Sequence, residues 1–151
     1  MLLESLLAYA HIAAILGLVV FLTSEAALCR AEWMNEAVVQ RLVRVDLLYL
    51  VAAITVLATG IARTAWGMKG MGWYWTQPLL HAKLGLFVVI GLMSAMPTRA
   101  FMRWRRDLAR SGTLPSADEV KTARRWIMIE AHLLLLVPLF AVMLARGVGT
   151  R

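Results

Sequence analysis

Four stretches of this chain, residues 5–23, 47–65, 79–96 and 126–145, are apolar over the length that crosses a bilayer as a helix. Lipid offers no hydrogen-bond partner to a backbone N–H or C=O. Each stretch must satisfy its own backbone groups, which only a helix does within one segment. The expected fold is therefore all-α: an integral membrane four-helix bundle, forming a single domain. An ordinary soluble domain is excluded, because 61% of the 151 residues are hydrophobic and mean hydropathy is +0.71. Glu4 stands where a removable signal peptide carries basic residues, and no small-x-small cleavage site follows cleanly. The first stretch is expected to remain as a span.

The links between spans divide into two kinds. The first, from Cys29 to Asp46, is amphipathic; Asn35 suits an N-cap and Glu36 the first turn of a helix running unbroken into span two. The second, from Trp66 to Pro78, holds Gly67, Gly70 and Gly72 among Trp66, Trp73, Tyr74 and Trp75, the composition of an irregular loop in an aromatic interface belt. After Pro97 a basic, helix-compatible run reaches Arg110 and is broken by Ser111-Gly112. Ser116 and Glu119 then form a capping box for a long helix into span four. Helices are thus expected to extend beyond the bilayer on the side of links one and three.

The formal charge of +7 raises nucleic-acid binding, but the distribution of the basic residues points to a membrane. Arg30, Arg41, Arg44, Arg99, Arg103, Arg105, Arg106, Arg110, Lys121, Arg124 and Arg125 fall in links one and three. Only Arg63, Lys69, Arg146 and Arg151 fall on the opposite side, with Lys83 inside a span. By the positive-inside rule, links one and three are expected to face the cytoplasm and both termini to lie outside. No nucleic-acid partner is expected. Cys29 is the only cysteine, which excludes an intramolecular disulfide and a CxxC metal or redox motif.

Ionisable groups inside spans are expensive and mark function unless they snorkel to the interface or pair with one another. All three histidines, His11, His81 and His132, fall in spans. Glu25, Asp46, Arg63, Lys83 and Glu130 lie near span ends. At about 1.5 Å per residue, His11 lies roughly 4–5 Å outside the midplane, Lys83 roughly 7–8 Å and His81 about 10 Å. His132 lies about 6 Å toward the cytoplasm, where it could pair with Glu25 or Asp46. His81 and Lys83 differ by about 200° of rotation, so only one of them faces His11. In span two, Asp46, Tyr49, Ala53, Val56, Gly60 and Arg63 repeat at steps of three and four, a small and polar stripe directed into a bundle.

Histidine is a common haem ligand, and four-helix bundles build such sites between facing helices. Ala8, Ala10, Ala14 and Gly17 around His11 would let a flat group approach the backbone. His11 and His81 are the candidate metal ligands. Lys83 and His132 join them as candidate cofactor-binding residues, and Arg63 is placed to hold a carboxylate.

His11, together with Leu80-His81-Ala82-Lys83-Leu84-Gly85, resembles the HemJ family of protoporphyrinogen oxidases, small four-span bacterial membrane proteins. The resemblance implies haem b, His11 as an axial ligand and Lys83 as a ligand or catalytic group, with His81 the nearby alternative. Nearly the whole chain also resembles a family of uncharacterised four-span bacterial membrane proteins. That likeness rests on Arg44-Val45-Asp46, the Lys69-Gly70 loop, His81-Ala82-Lys83-Leu84, Pro97-Thr98 and Glu130-Ala131-His132.

The expected function is that of a haem b membrane oxidoreductase acting on protoporphyrinogen, with catalytic Lys83 and Arg63. A membrane quinone would be the electron acceptor, and Arg63, Lys69 or Lys83 would hold substrate propionates. The alternative is a haem-binding electron-transfer or accessory subunit without its own substrate. A third reading is copper handling by thioethers, from the spacing of Met68 with Met71 and of Met93 with Met96. Small-residue faces suggest a homo-oligomer in contact with lipid.

Overall fold

The computed structural model describes residues 2–66, 72 and 75–146. Gly67, Met68, Lys69, Gly70, Met71, Trp73, Tyr74 and Arg151, each named above, lie outside the described residues. Helix α1 runs Leu2–Leu28, and a short 3₁₀ turn at Ala31–Trp33 leads onward. Helices α2, Glu36–Trp66, and α3, Pro78–Ser111, follow. Then come α4, Ala117–Leu134, and α5, Leu136–Ala145. Among the described residues, four helical segments are long and apolar enough to cross a membrane, the last being α4 with most of α5.

The caps fall where the sequence places them. Asn35 Oδ1 accepts from the Val38 N–H at 2.9 Å, tying down one of the orphan donors at the start of α2. Ser116 and Glu119 complete the capping box of α4. Helix α3 stops at Ser111 because Gly112 turns left-handed, with φ 67°, and returns its N–H to the Leu108 carbonyl.

The fourth span is interrupted at Leu135. Pro138 has no N–H to give the Leu134 carbonyl four residues back, and its ring crowds that oxygen. The break therefore sits one turn before the proline.

Helices neighbouring in sequence pack side by side, and α1 closes the ring against α4. At 34 residues, α3 is about 50 Å long, well beyond a hydrocarbon core of about 30 Å. The excess, with the start of α2 and of α4, forms a second, tighter bundle at the end carrying the arginine-rich links. Here Val39, Leu42, Phe101, Trp104, Val120 and Ile127 are buried, while Arg99, Arg103, Arg105 and Arg106 are exposed. The hydrophobic effect holds this basic end together because water surrounds it. Between spans in lipid that force is lacking, and close packing with interhelical hydrogen bonds replaces it. The opposite half of the bundle is looser, and a cavity lies there.

Candidate functional site

A cavity of about 620 Å³ lies between α1, α2, α3 and the α4–α5 break. Its walls are chiefly apolar, with Leu18, Leu22, Val56 and Phe87 among the lining residues. Four groups carrying chemistry reach it: His11 from α1, Arg63 from α2, Lys83 from α3 and His132 from α4.

His11 is 5% exposed, and its Nδ1 lies 2.8 Å from Thr59 Oγ1. The Thr59 hydroxyl hydrogen is already directed at its own helix, with Oγ1 2.6 Å from the Thr55 carbonyl oxygen. The hydroxyl oxygen is therefore placed to accept a hydrogen bond from Nδ1–H, the tautomer that leaves the lone pair on Nε2. His132 reaches the same state by another route. Its Nδ1 donates to the Met128 carbonyl oxygen, which can only accept. Both imidazoles thus carry the Nε2 lone pair that a metal ligand needs, each oriented by a bond at the other nitrogen. The pairing of His132 with Glu25 or Asp46 does not occur.

Gly60 makes room for His11. A Cβ at that position would stand 3.3 Å from the imidazole Cε1. Of the α2 stripe read from the sequence, Asp46, Tyr49 and Val56 are buried, Ala53 and Gly60 half-buried and Arg63 exposed.

The geometry also separates His81 from Lys83. Lys83 shares the cavity wall with Leu80, Leu84 and Phe87, one helical face. His81 is exposed and does not line the cavity. Its Nε2 lies 2.9 Å from the Trp75 carbonyl oxygen, and its ring is tilted against the Trp75 indole at 5.9 Å. Trp75 does line the cavity, so His81 braces a wall residue from outside.

Arg63 and Lys83 lie within electrostatic reach of each other and of His11. Among the described residues neither is paired with a carboxylate; the ion pairs are Arg103–Glu119 at 2.8 Å and Lys121–Asp118 at 3.8 Å. Lys83 is half-buried and Arg63 exposed; two such cations lining a mainly apolar cavity suit a ligand with an apolar body and an anionic edge. No set of three or more described His, Cys, Asp or Glu side chains could hold a bare metal ion. A metal at this site would have to bring most of its ligands with it, as a tetrapyrrole does. No methionine is among the described residues lining the cavity; Met93 is half-buried and Met96 exposed.

The residues that sequence reasoning missed are Thr59 and Trp75. Thr59 stands 48 positions from the histidine it orients, and nothing in its local sequence distinguishes it from a threonine bonded only to its own helix. Trp75 was read solely as part of an interface belt.

No curated protein and no solved structure matches the chain. A family model described as "Predicted membrane protein (DUF2214)" matches residues 3–149, and the chain belongs to that family.

Proposed function

We propose that the protein is a haem b-binding membrane oxidoreductase with its site in the cavity between the four spans. The observation that supports this reading is that buried His11 and exposed His132, each bonded through Nδ1, line one largely apolar cavity together with two cations that have no ion-pair partner among the described residues. His11 and His132 would hold the iron from the protein side, and Arg63 and Lys83 would hold the propionates by charge-assisted hydrogen bonds. His81 is reassigned from ligand to brace of Trp75. The haem would supply one-electron redox chemistry, poised by its axial ligands and its burial.

The likeness to HemJ makes protoporphyrinogen the substrate to try first and a membrane quinone the acceptor. One observation favours a second reading. About 620 Å³ suits one ligand of drug-like size, so a haem would leave little enclosed room for a second macrocycle. A haem-binding electron-transfer subunit without its own substrate fits that volume.

The decisive experiment is purification from cells with ample haem supply, followed by a pyridine-haemochrome assay. Wild type is expected to show a Soret band and haem b, with haem content greatly reduced in His11→Ala. Absence of a Soret band in well-folded wild type ends the haem reading. Protoporphyrinogen turnover in a strain lacking its own oxidase then separates the enzyme from the electron-transfer subunit.

A further inference from the structure

The cavity opens sideways. Helix α5 packs against α3 and α4, with scarcely any close approach to α1 among the described residues. Both edges of that gap carry apolar residues that line the cavity and are also exposed. On α1 these are Ile12, 55% exposed, and Val19, 40%; on the other edge they are Leu135, 70%, and Val142, 57%. A side chain that faces both the cavity and the surroundings stands in an opening between them.

Depth decides what lies outside that opening. At about 1.5 Å per residue, Leu135 falls at the middle of its span and Val19 about 7 Å toward the basic end. Ile12 and Val142 fall about 3 Å and about 10 Å toward the opposite end. A hydrocarbon core reaches about 15 Å to either side of its middle, so the mouth faces lipid chains. Toward the basic end the bundle is shut. Leu18 and Leu22 are buried, and beyond them hydrogen bonds join the helices. Arg124 of α4 donates to the Ala26 and Cys29 carbonyl oxygens at the end of α1. Tyr49 of α2 donates to Glu130 of α4, and Thr98 of α3 to Asp46 of α2 at 2.7 Å. The cations lie at the other end of the cavity, Lys83 about 7 Å and Arg63 about 10 Å from the middle of their spans.

A water-soluble anion would have to cross hydrocarbon to use this mouth, whereas a molecule dissolved in the bilayer is already beside it. We propose that the cavity binds a long-chain carboxylate drawn from the bilayer, its head held by Arg63 and Lys83 and its chain leaving between α1 and α5. A volume of about 620 Å³ suits one body of drug-like size, hence one chain and not the two of a phospholipid. Lipid tails are as apolar as the leucines of the wall, so the chain contributes little affinity of its own. Charge-assisted bonds to the head set the affinity, and the mouth sets which molecules reach them. Haem shares the cavity in the reading above, and it too joins an apolar body to carboxylates. The inference does not rest on haem being bound, and it requires the two ligands to exclude each other.

The test is photolabelling of full-length protein, made in a haem-deficient strain and held in phosphatidylcholine nanodiscs. Two palmitate probes are used, one with a diazirine in mid-chain and one with it near the carboxyl group. Peptide mass spectrometry of wild type is expected to place the mid-chain label at residues 12–19 and 135–142, and the other at residues 83–87. Excess unlabelled palmitate should abolish both patterns and its methyl ester should not. Exposed Leu50 and Ile54 of α2 should take only weak label that palmitate fails to compete. The double variant Arg63→Gln with Lys83→Gln is expected to lose the competed label severalfold. The wild-type map and its competition stand alone if that variant fails to fold. Label spread evenly over the outward faces and not competed by palmitate would mean annular lipid only and overturns the proposal. Competition by the methyl ester as strong as by palmitate overturns it too, because the cations would then hold no head. The haemochrome assay can fail while this labelling succeeds, or the reverse, so the two readings fall separately.

Discussion

Thr59 Oγ1 and His11 Nδ1 stand 2.8 Å apart across the α1–α2 interface. Thr59 Oγ1 can accept a hydrogen bond from the imidazole N–H because its own hydrogen is already directed at the Thr55 carbonyl. The threonine thereby fixes both the tilt and the tautomer of the histidine.

Thr59→Val keeps the shape of the side chain and removes the acceptor. Loss of a group that orients a ligating histidine commonly costs about 10–100-fold in affinity. Haem titration of the apo-protein is expected to show a loss of that order, with Thr59→Ser close to wild type. Unchanged affinity in Thr59→Val would mean that the hydroxyl does not orient the ligand.

The two members of the His81–Lys83 stretch should part company on substitution. Lys83→Ala removes a cavity-lining cation, and Arg63→Ala removes the other. Each is expected to weaken binding of a dicarboxylate porphyrin, and the double variant more so. His81→Ala leaves the cavity's own side chains in place and frees only Trp75. It should retain wild-type haem content and alter Trp fluorescence. Equal losses from His81→Ala and Lys83→Ala would contradict the assignment of faces.

How far the sequence could be read follows from the range of the forces involved. Spans, caps and the α2 stripe were legible because each depends on residues within a few positions, as in the bond from Val38 N–H to Asn35. The rotation that separates His81 from Lys83 was legible too, but not which of them faces the cavity, because that depends on how α3 is turned against its neighbours. Pro138 carried the signal for the break at Leu135, and the apolar run of the span concealed it. Tyr49 and Glu130 were both visible as polar residues, yet their bond joins positions 81 residues apart on diagonal helices. No periodicity in one helix reports such a pairing.

That diagonal bond gives a stability prediction. Tyr49→Phe removes the donor to Glu130 Oε1 and leaves both oxygens of a buried carboxyl group unpartnered. Interhelical hydrogen bonds in membrane proteins average about 0.6 kcal/mol and reach about 1.7 kcal/mol. The upper part of that range is expected here, measured by equilibrium unfolding in mixed micelles. Thr98→Val, acting on the half-buried bond to Asp46, should cost less. A neutral Tyr49→Phe would indicate that water already satisfies Glu130.

Cys29 reports on the tightness of the basic end. It is fully buried, just past the end of α1, and burial pushes its thiol up to about 12. Thiolate is the reactive form, so both access and ionisation oppose modification at pH 7. Maleimide is expected to leave the folded protein unlabelled and to label it stoichiometrically after denaturation. Labelling of the native protein at the rate of a free thiol would mean that α1 and α4 separate readily there.

Gly60→Ala sets two effects against each other. In a helix interior alanine is favoured over glycine by about 1 kcal/mol, so the substitution by itself strengthens α2. The new methyl, however, would stand 3.3 Å from His11 Cε1, closer than the ring tolerates without a shift of a few tenths of an ångström. Because His11 is tethered to Thr59 on the same helix, the ring cannot move away without straining that bond. Thermal stability should therefore stay near wild type while haem affinity falls several-fold and the Soret maximum shifts. Recovery of affinity in a Gly60→Ser variant would be inconsistent with this account, since serine places a Cβ at the same point.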